Sequence, residues 1–99
     1  MKYAYIKVDT NDADYISEFS VISDKDEGLL RKLATLLPAK GYRFGKGECV
    51  DRYPPSDLYP EFTEEELEEI SDLLPYNEYG SHSIDEITFY EVSNTEKLV

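Results

Sequence analysis

"KYAYIKV", residues 2–8, alternates between two sets of side chains that favour β-structure. Its tyrosines, Tyr3 and Tyr5, point to one side of an extended chain, and its aliphatic residues point to the other. The turn-forming cluster "DTNDAD" (9–14) follows, and "YISEFSVIS" (15–23) predicts a second strand. The apolar residues of this second strand do not alternate cleanly, which indicates a bulge or a strand buried on both faces. Together the segments predict an antiparallel pair of strands joined by a loop.

A leucine stripe downstream of Ser23 predicts the first helix. Ser23 is a suitable N-cap, and the acidic residues that follow it lie at the positive end of the helix dipole. Pro38 limits the helix, because the residue before a proline is disfavoured in the α conformation. The stripe at helical spacing consists of Leu29, Leu30, Leu33, Leu36 and Leu37.

Residues 40–61 are rich in Gly, Pro, Tyr and charge, and they predict a long ordered loop. Tyr42–Phe44 is a candidate short strand within it. We expect Tyr53 and Tyr59 to anchor the loop against the body of the protein.

"FTEEELEEISDLLP" (62–75) predicts the second helix. Thr63 and Glu66 have the spacing of a capping box, in which each side chain accepts a hydrogen bond from a backbone N–H at the helix start. Phe62 and Leu67 have the spacing of a hydrophobic staple, and the final proline ends the helix. The apolar residues that would face inward are Leu67, Ile70, Leu73 and Leu74.

A last strand, "IDEITFYEV" (84–92), completes the predicted order β-β-α-α-β. We therefore expect an α+β fold, with a small antiparallel sheet of about three strands and two helices packed on one face. The last strand is expected to pair beside the first. A chain of 99 residues fits a single domain over residues 1–99.

The charge of the chain is unevenly distributed along the sequence. Residues 1–52 contain nine Lys or Arg and nine Asp or Glu, whereas residues 53–99 contain thirteen Asp or Glu and only Lys97. The net charge of −12 therefore comes from the second half of the chain. Such a surface repels nucleic-acid backbones and anionic membranes, and it attracts basic proteins.

The second predicted helix concentrates this acidity, and two interpretations stay open. Glutamates 64–66 lie in the first turn, where the helix dipole stabilises carboxylates. Glu68, Glu69 and Asp72 lie further along, where like charges four residues apart are unfavourable. The run is either the solvated side of an ordinary helix or a docking surface for a basic partner.

Cysteine content and hydropathy indicate the compartment. With one cysteine, Cys49, no disulfide within the chain can form, so we expect a cytoplasmic protein. Lys7 and Asp9 interrupt the first apolar stretch, so we expect no signal peptide. No stretch of the sequence approaches the length of a membrane span.

Motifs for metals, cofactors and catalysis are weak. "DTNDAD" does not fit a calcium loop, because Ala13 takes the place of the third ligand when the loop starts at Asp9. His82 is the single histidine, and no local pattern shows that it meets Cys49 to form a base–nucleophile pair. The chain has too few His and Cys for zinc. We therefore predict no metal, no cofactor and no enzyme activity.

"KGYRFGKGECVDRY" (40–53) is the one basic and aromatic stretch. Such interleaving suits single-stranded nucleic acid, but a net charge of −12 opposes it. We expect these cations to pair with carboxylates or to form one side of a self-associating domain.

The leading hypothesis is a non-catalytic acidic binding module that docks on a positively charged protein, as an inhibitor, an immunity-type protein or a nucleic-acid mimic. One alternative is a structural or self-assembling accessory protein, a possible homodimer whose charge serves solubility. Another is a small enzyme that uses carboxylates or Cys49 with His82. The residues predicted to bind the basic partner are Glu65, Glu68, Glu69, Asp72, Tyr76 and Tyr79.

Overall fold

The structure is a computed structural model, and it describes residues 1–9, 15–40, 43–45, 59–75, 81–91 and 94–98. It is an α+β fold with one antiparallel sheet and two helices. The strands are β1 (Lys2–Asp9), β2 (Tyr15–Ile22), β3 (Arg43–Gly45), β4 (Ser81–Glu91) and β5 (Asn94–Lys97). The helices are α1 (Asp24–Leu36) and α2 (Glu64–Leu73), and a 3₁₀ turn, Pro38–Lys40, follows α1.

The sheet has the strand order β2-β1-β4-β3, and β5 also pairs with β4. β3 pairs with residues 81–83 of β4 and β5 pairs with residues 88–91, so the two short strands share one edge. The expected pairing of the last long strand beside the first is confirmed, because β4 lies antiparallel to β1. The sheet has five strands instead of about three. β3 overlaps the candidate short strand Tyr42–Phe44, displaced by one residue. β5 is four residues long and was not predicted.

The expectation for the second strand was wrong in its details. β2 pairs with β1 in unbroken register from Tyr15 to Ile22, and most of its residues are exposed. It is neither bulged nor buried on both faces. The bulge lies instead between β1 and β4, where Lys7 opposes Glu86 and the next residue of β1 opposes Ile84. The uneven pattern of β2 arises because apolar residues occupy its solvent-facing side as well.

Both helices begin as the sequence predicts. Ser23 caps α1 and Thr63 caps α2, and each helix has a complete capping box. The hydrophobic staple of α2 is also confirmed, since Phe62 and Leu67 are both buried. α1 ends where the sequence predicts, with Leu37 as its C-cap immediately before the proline. Leu37 nevertheless keeps the α conformation (φ −53°, ψ −45°), so the expected exclusion of the residue before proline from that conformation is wrong here.

One hydrophobic core lies between the helices and one face of the sheet. The aliphatic residues of "KYAYIKV" point into it, and the leucine stripes of both helices cover them from the other side. Tyr59 is fully buried in the same core, so its predicted anchoring role is confirmed, whereas Tyr53 lies outside the described residues. The fully buried members, each at most 1% exposed, are Ala4, Ile6, Val8, Leu30, Leu33, Leu37, Tyr59, Leu67, Ile70, Ile84 and Ile87.

Candidate functional site

The start of α2 is fixed by reciprocal hydrogen bonds. The Glu66 carboxylate accepts from the backbone N–H of Thr63 at 2.9 Å, and the Thr63 hydroxyl accepts from the backbone N–H of Glu66 at 3.1 Å. The first of these bonds is the main reason that the pKa of Glu66 lies below its ordinary value. Glu66 is therefore occupied in capping the helix, and it is not a free contact group.

Burial of the inner side of α2 fixes the direction of its outer side. Leu67 and Ile70 are fully buried, and Leu74 follows them into the core. Because these three side chains cannot turn outward without opening the core, the opposite side of the helix is held toward solvent. We call this outer side the acidic face of α2, and it consists of Glu64, Glu65, Glu68, Glu69 and Asp72.

The acidic face of α2 receives little compensation from nearby cations. Lys25 of α1 pairs with Glu69 at 2.7 Å between Nζ and Oε1, which raises the pKa of Lys25. Within the part of the chain that the structure describes, no cation lies within ion-pair distance of Glu64, Glu65 or Glu68. The remaining nearby cation, Lys32, donates to a backbone carbonyl of residue 61 instead.

The two helices differ sharply in charge. The sequence of α1 contains three acidic and three basic residues, whereas that of α2 contains six acidic residues and none that is basic. α2 alone therefore carries half of the net charge of −12. Its like-charged neighbours destabilise the helix slightly.

Two other cations of the first half, Lys2 and Arg31, pair with carboxylates that lie outside α2. Arg31 lies between Glu27 and Glu96, with its closest contact at 2.6 Å to Glu96. Lys2 pairs with Glu27 at 2.7 Å and with Glu91 at 2.9 Å. The hydrogen bond from Lys2 is the main cause of the lowered pKa of Glu27, and that from Arg31 lowers the pKa of Glu96. This network joins β1, α1, β4 and β5 and includes no residue of the acidic face of α2.

The structure brings four of the six predicted contact residues together. Glu65, Glu68, Glu69 and Asp72 lie within three turns of α2, and Glu64 joins them as a residue that the prediction omitted. Glu69 is half-buried and paired, so it is a weaker candidate than its neighbours. Tyr76 and Tyr79 lie outside the described residues, as does Cys49. The backbone of His82 belongs to β4, where it pairs with β3.

The described residues contain neither a cluster that would hold a metal ion nor a helix that would cross a membrane. Among them, no three His, Cys, Asp or Glu side chains come together in a way that would hold a metal ion. In the same part of the chain, neither helix has the length and apolar character needed to cross a bilayer.

A second surface was not anticipated from the sequence. The side of the sheet that faces away from the helices carries apolar residues from three adjacent strands, and its rings are in contact. The centroids of Tyr5 and Phe19 are 4.7 Å apart, and those of Phe19 and Tyr90 are 5.6 Å apart. We call this surface the aromatic face, and it consists of Tyr3, Tyr5, Tyr15, Phe19, Val21 and Tyr90.

The sequence did contain a signal for the aromatic face. A sheet with one face toward water normally places polar residues on that face. In "KYAYIKV" the residues opposite the aliphatic set are tyrosines, and the second strand is apolar on both sides. Since both predicted helices were assigned to one face of the sheet, no predicted helix was left to cover the other.

No protein-family model, curated protein or solved structure matches this chain. The two surfaces are therefore interpreted from their own chemistry.

Proposed function

We propose that the protein is a non-catalytic binding module whose acidic face of α2 docks on a positively charged protein surface. An inhibitor, an immunity-type protein or a nucleic-acid mimic would act in this way. The observation that carries the proposal is the weak compensation of charge on α2. Of the six carboxylates on this ten-residue helix, Glu64, Glu65 and Glu68 have no ion-pair partner among the described residues, whereas Glu69 pairs with Lys25.

The fixed orientation of the helix supports this role. A flexible acidic tail must be ordered when it binds, which costs conformational entropy and lowers affinity. The carboxylates of α2 are instead held on a helix with a buried inner side and a complete capping box. A basic partner would meet preorganised charges, so less binding free energy would be lost to ordering.

The mechanism is electrostatic steering followed by short-range contact. Clustered charge of one sign raises the association rate with an oppositely charged partner, and added salt reduces that rate steeply. We expect Glu65 and Glu68 to contribute most, because both are exposed and neither forms an ion pair with a described cation, and Asp72 lies on the same side. The single cysteine makes the cytoplasm the proposed site of action.

The test is a matched comparison between two variants of equal net charge. Glu65→Gln with Glu68→Gln removes two charges from the acidic face of α2, whereas Glu18→Gln with Asp85→Asn removes two from exposed strand positions. Immobilised wild type and both variants are exposed to lysate of the source cell at low salt. Any basic protein retained is then purified, and its association rate is measured against salt concentration.

We expect a basic protein to be retained by the wild type and by the strand variant but not by the α2 variant. Its association rate should fall by about an order of magnitude or more between low and physiological salt. Equal loss of the basic protein by both variants would show that its retention depends only on total charge and not on the position of the charge. Failure of the wild type to retain any basic protein would overturn the proposal.

A further inference from the structure

The aromatic face is an unusually continuous exposed apolar surface. Its most exposed members are Phe19 at 65%, Val21 at 57%, Tyr15 at 53% and Tyr3 at 40% of full exposure. Single exposed apolar residues are ordinary, but a contiguous patch on a sheet marks an interaction surface. Within the described residues, neither helix covers this side of the sheet, because the core lies on the other side.

We propose that the aromatic face is the interface of a homodimer, in which two copies pack sheet against sheet and keep their helices outside. This inference goes beyond the proposed function and does not depend on it, because it uses the opposite side of the sheet.

The size of the aromatic face suits such an interface. Tyr3, Tyr15 and Phe19 bury about 150–250 Å² each when fully covered, so their exposed parts alone supply roughly 300 Å². Val21 and Met1, which is 82% exposed beside them, add to this. A standard interface buries about 800 Å² on each partner. The centre of such an interface is its most apolar and most fully buried part. The aromatic face provides a centre of that kind.

Charge favours a second copy over a basic protein as the occupant of this face. Four charged residues lie at outward register positions on the same side of the sheet, namely Lys7, Lys97, Asp9 and Glu86, two of each sign. The Nζ atom of Lys7 lies 4.2 Å from the ring centroid of Tyr15. The aromatic face is thus close to neutral on a protein of net charge −12. A basic partner would be drawn to α2, whereas two copies can approach each other here.

Packing through this face also separates the strongest charges. In a helix–sheet–sheet–helix arrangement, three layer spacings of about 10 Å place the two α2 helices roughly 30 Å apart. The Debye length is about 8 Å at physiological ionic strength, so repulsion between the two helices is largely screened. Both acidic faces of α2 would point outward, and the dimer would present two binding surfaces to a basic partner.

The test is the mass of the protein in solution, measured by sedimentation equilibrium over a concentration series at about 0.15 M salt. We expect the wild type to change from 11.4 kDa to twice that mass as concentration rises. Phe19→Glu should raise the dimer dissociation constant roughly a hundred-fold or more, because it places a charge at the centre of the interface in both copies. Since Phe19 is exposed in one copy, the variant should still fold, and circular dichroism checks this.

Thr35→Glu is the matched control, because it adds the same charge at an exposed position of α1. The control should dimerise like the wild type. Salt provides a second readout: dimerisation should strengthen as salt screens the like charges, whereas binding to a basic partner should weaken. Failure of the dimer and failure of the proposed function are therefore distinguishable.

Three results would overturn the inference. The first is a wild type that stays monomeric at its highest soluble concentration, which would assign the aromatic face to another protein. The second is a dimer that Phe19→Glu leaves intact. The third is hydrogen-exchange protection of the outer-edge amides of β2 on dimerisation, which would indicate strand-edge pairing instead of face-to-face packing.

Discussion

At the scale of single residues, Tyr59 shows how the second half of the chain is attached to the core. It lies between the long central segment and α2, it is fully buried, and its ring centroid is 6.3 Å from that of Phe62. Burial raises the pKa of the Tyr59 phenol to about 12, and the nearby Glu61 carboxylate adds to the shift. The neutral phenol is therefore the form that the folded protein stabilises.

The sign of this shift gives a prediction for alkaline pH. In the unfolded chain the phenol of Tyr59 ionises near pH 10. The stability that the folded protein gains from keeping this phenol neutral is therefore complete below pH 10 and is lost as pH rises through about 12. Tyr59→Phe keeps the ring and removes the ionisation. We expect its phenolate absorbance titration to lack the latest step seen in the wild type. If the phenol missing from Tyr59→Phe were instead lost from the main step near pH 10, Tyr59 would not be buried.

At the scale of elements, α2 combines strong signals for a helix with a charge pattern that weakens it. Glu64, Glu68 and Asp72 succeed each other at spacings of four residues, where like charges repel. We predict that Glu68→Lys raises the free energy of unfolding by about 0.5–1 kcal/mol, because it replaces two repulsions by two attractions. Chemical denaturation measures the change, and Glu68→Gln should give about half of it.

The same substitution separates stability from function. Glu68→Lys should stabilise the fold and weaken binding of a basic partner, which is the usual relation at a functional surface. If Glu68→Lys destabilised the protein, the carboxylate would have a structural role, and the interpretation of the acidic face of α2 as a recognition surface would lose its basis.

Elements that form because of neighbouring side chains were predictable from the sequence. Those that depend on contacts with distant parts of the chain were not. Both caps, the staple of α2 and the strand at residues 2–8 follow from neighbouring side chains, and all of them are confirmed. β3 overlaps the candidate strand Tyr42–Phe44, whereas β5 pairs along the edge of β4, which no local pattern records. The aromatic face depends in the same way on where the helices pack, although Tyr3 and Tyr5 were recognised as one side of a strand.

At the scale of the whole molecule, charge and exposed apolar surface lie on opposite sides of the sheet. The helical side carries α2 with its six carboxylates, and the other side carries exposed rings with balanced charges. Two cations of the first half, Lys2 and Arg31, are engaged with Glu27, Glu91 and Glu96, which lie outside α2, and Lys25 pairs with Glu69 of α2. Under the two proposals, the protein would associate with itself through one side of the sheet and with a basic protein through the other.

Side-chain footprinting of the isolated protein tests this separation most directly. Hydroxyl radicals label exposed rings and methionine, carbodiimide coupling labels exposed carboxylates, and mass spectrometry locates both at low and high protein concentration. We predict that labelling of Tyr15, Phe19 and Met1 falls as concentration rises, while Glu65 and Glu68 stay fully reactive. Unchanged labelling of the rings, or protection of these glutamates, would contradict the assignment of the two sides.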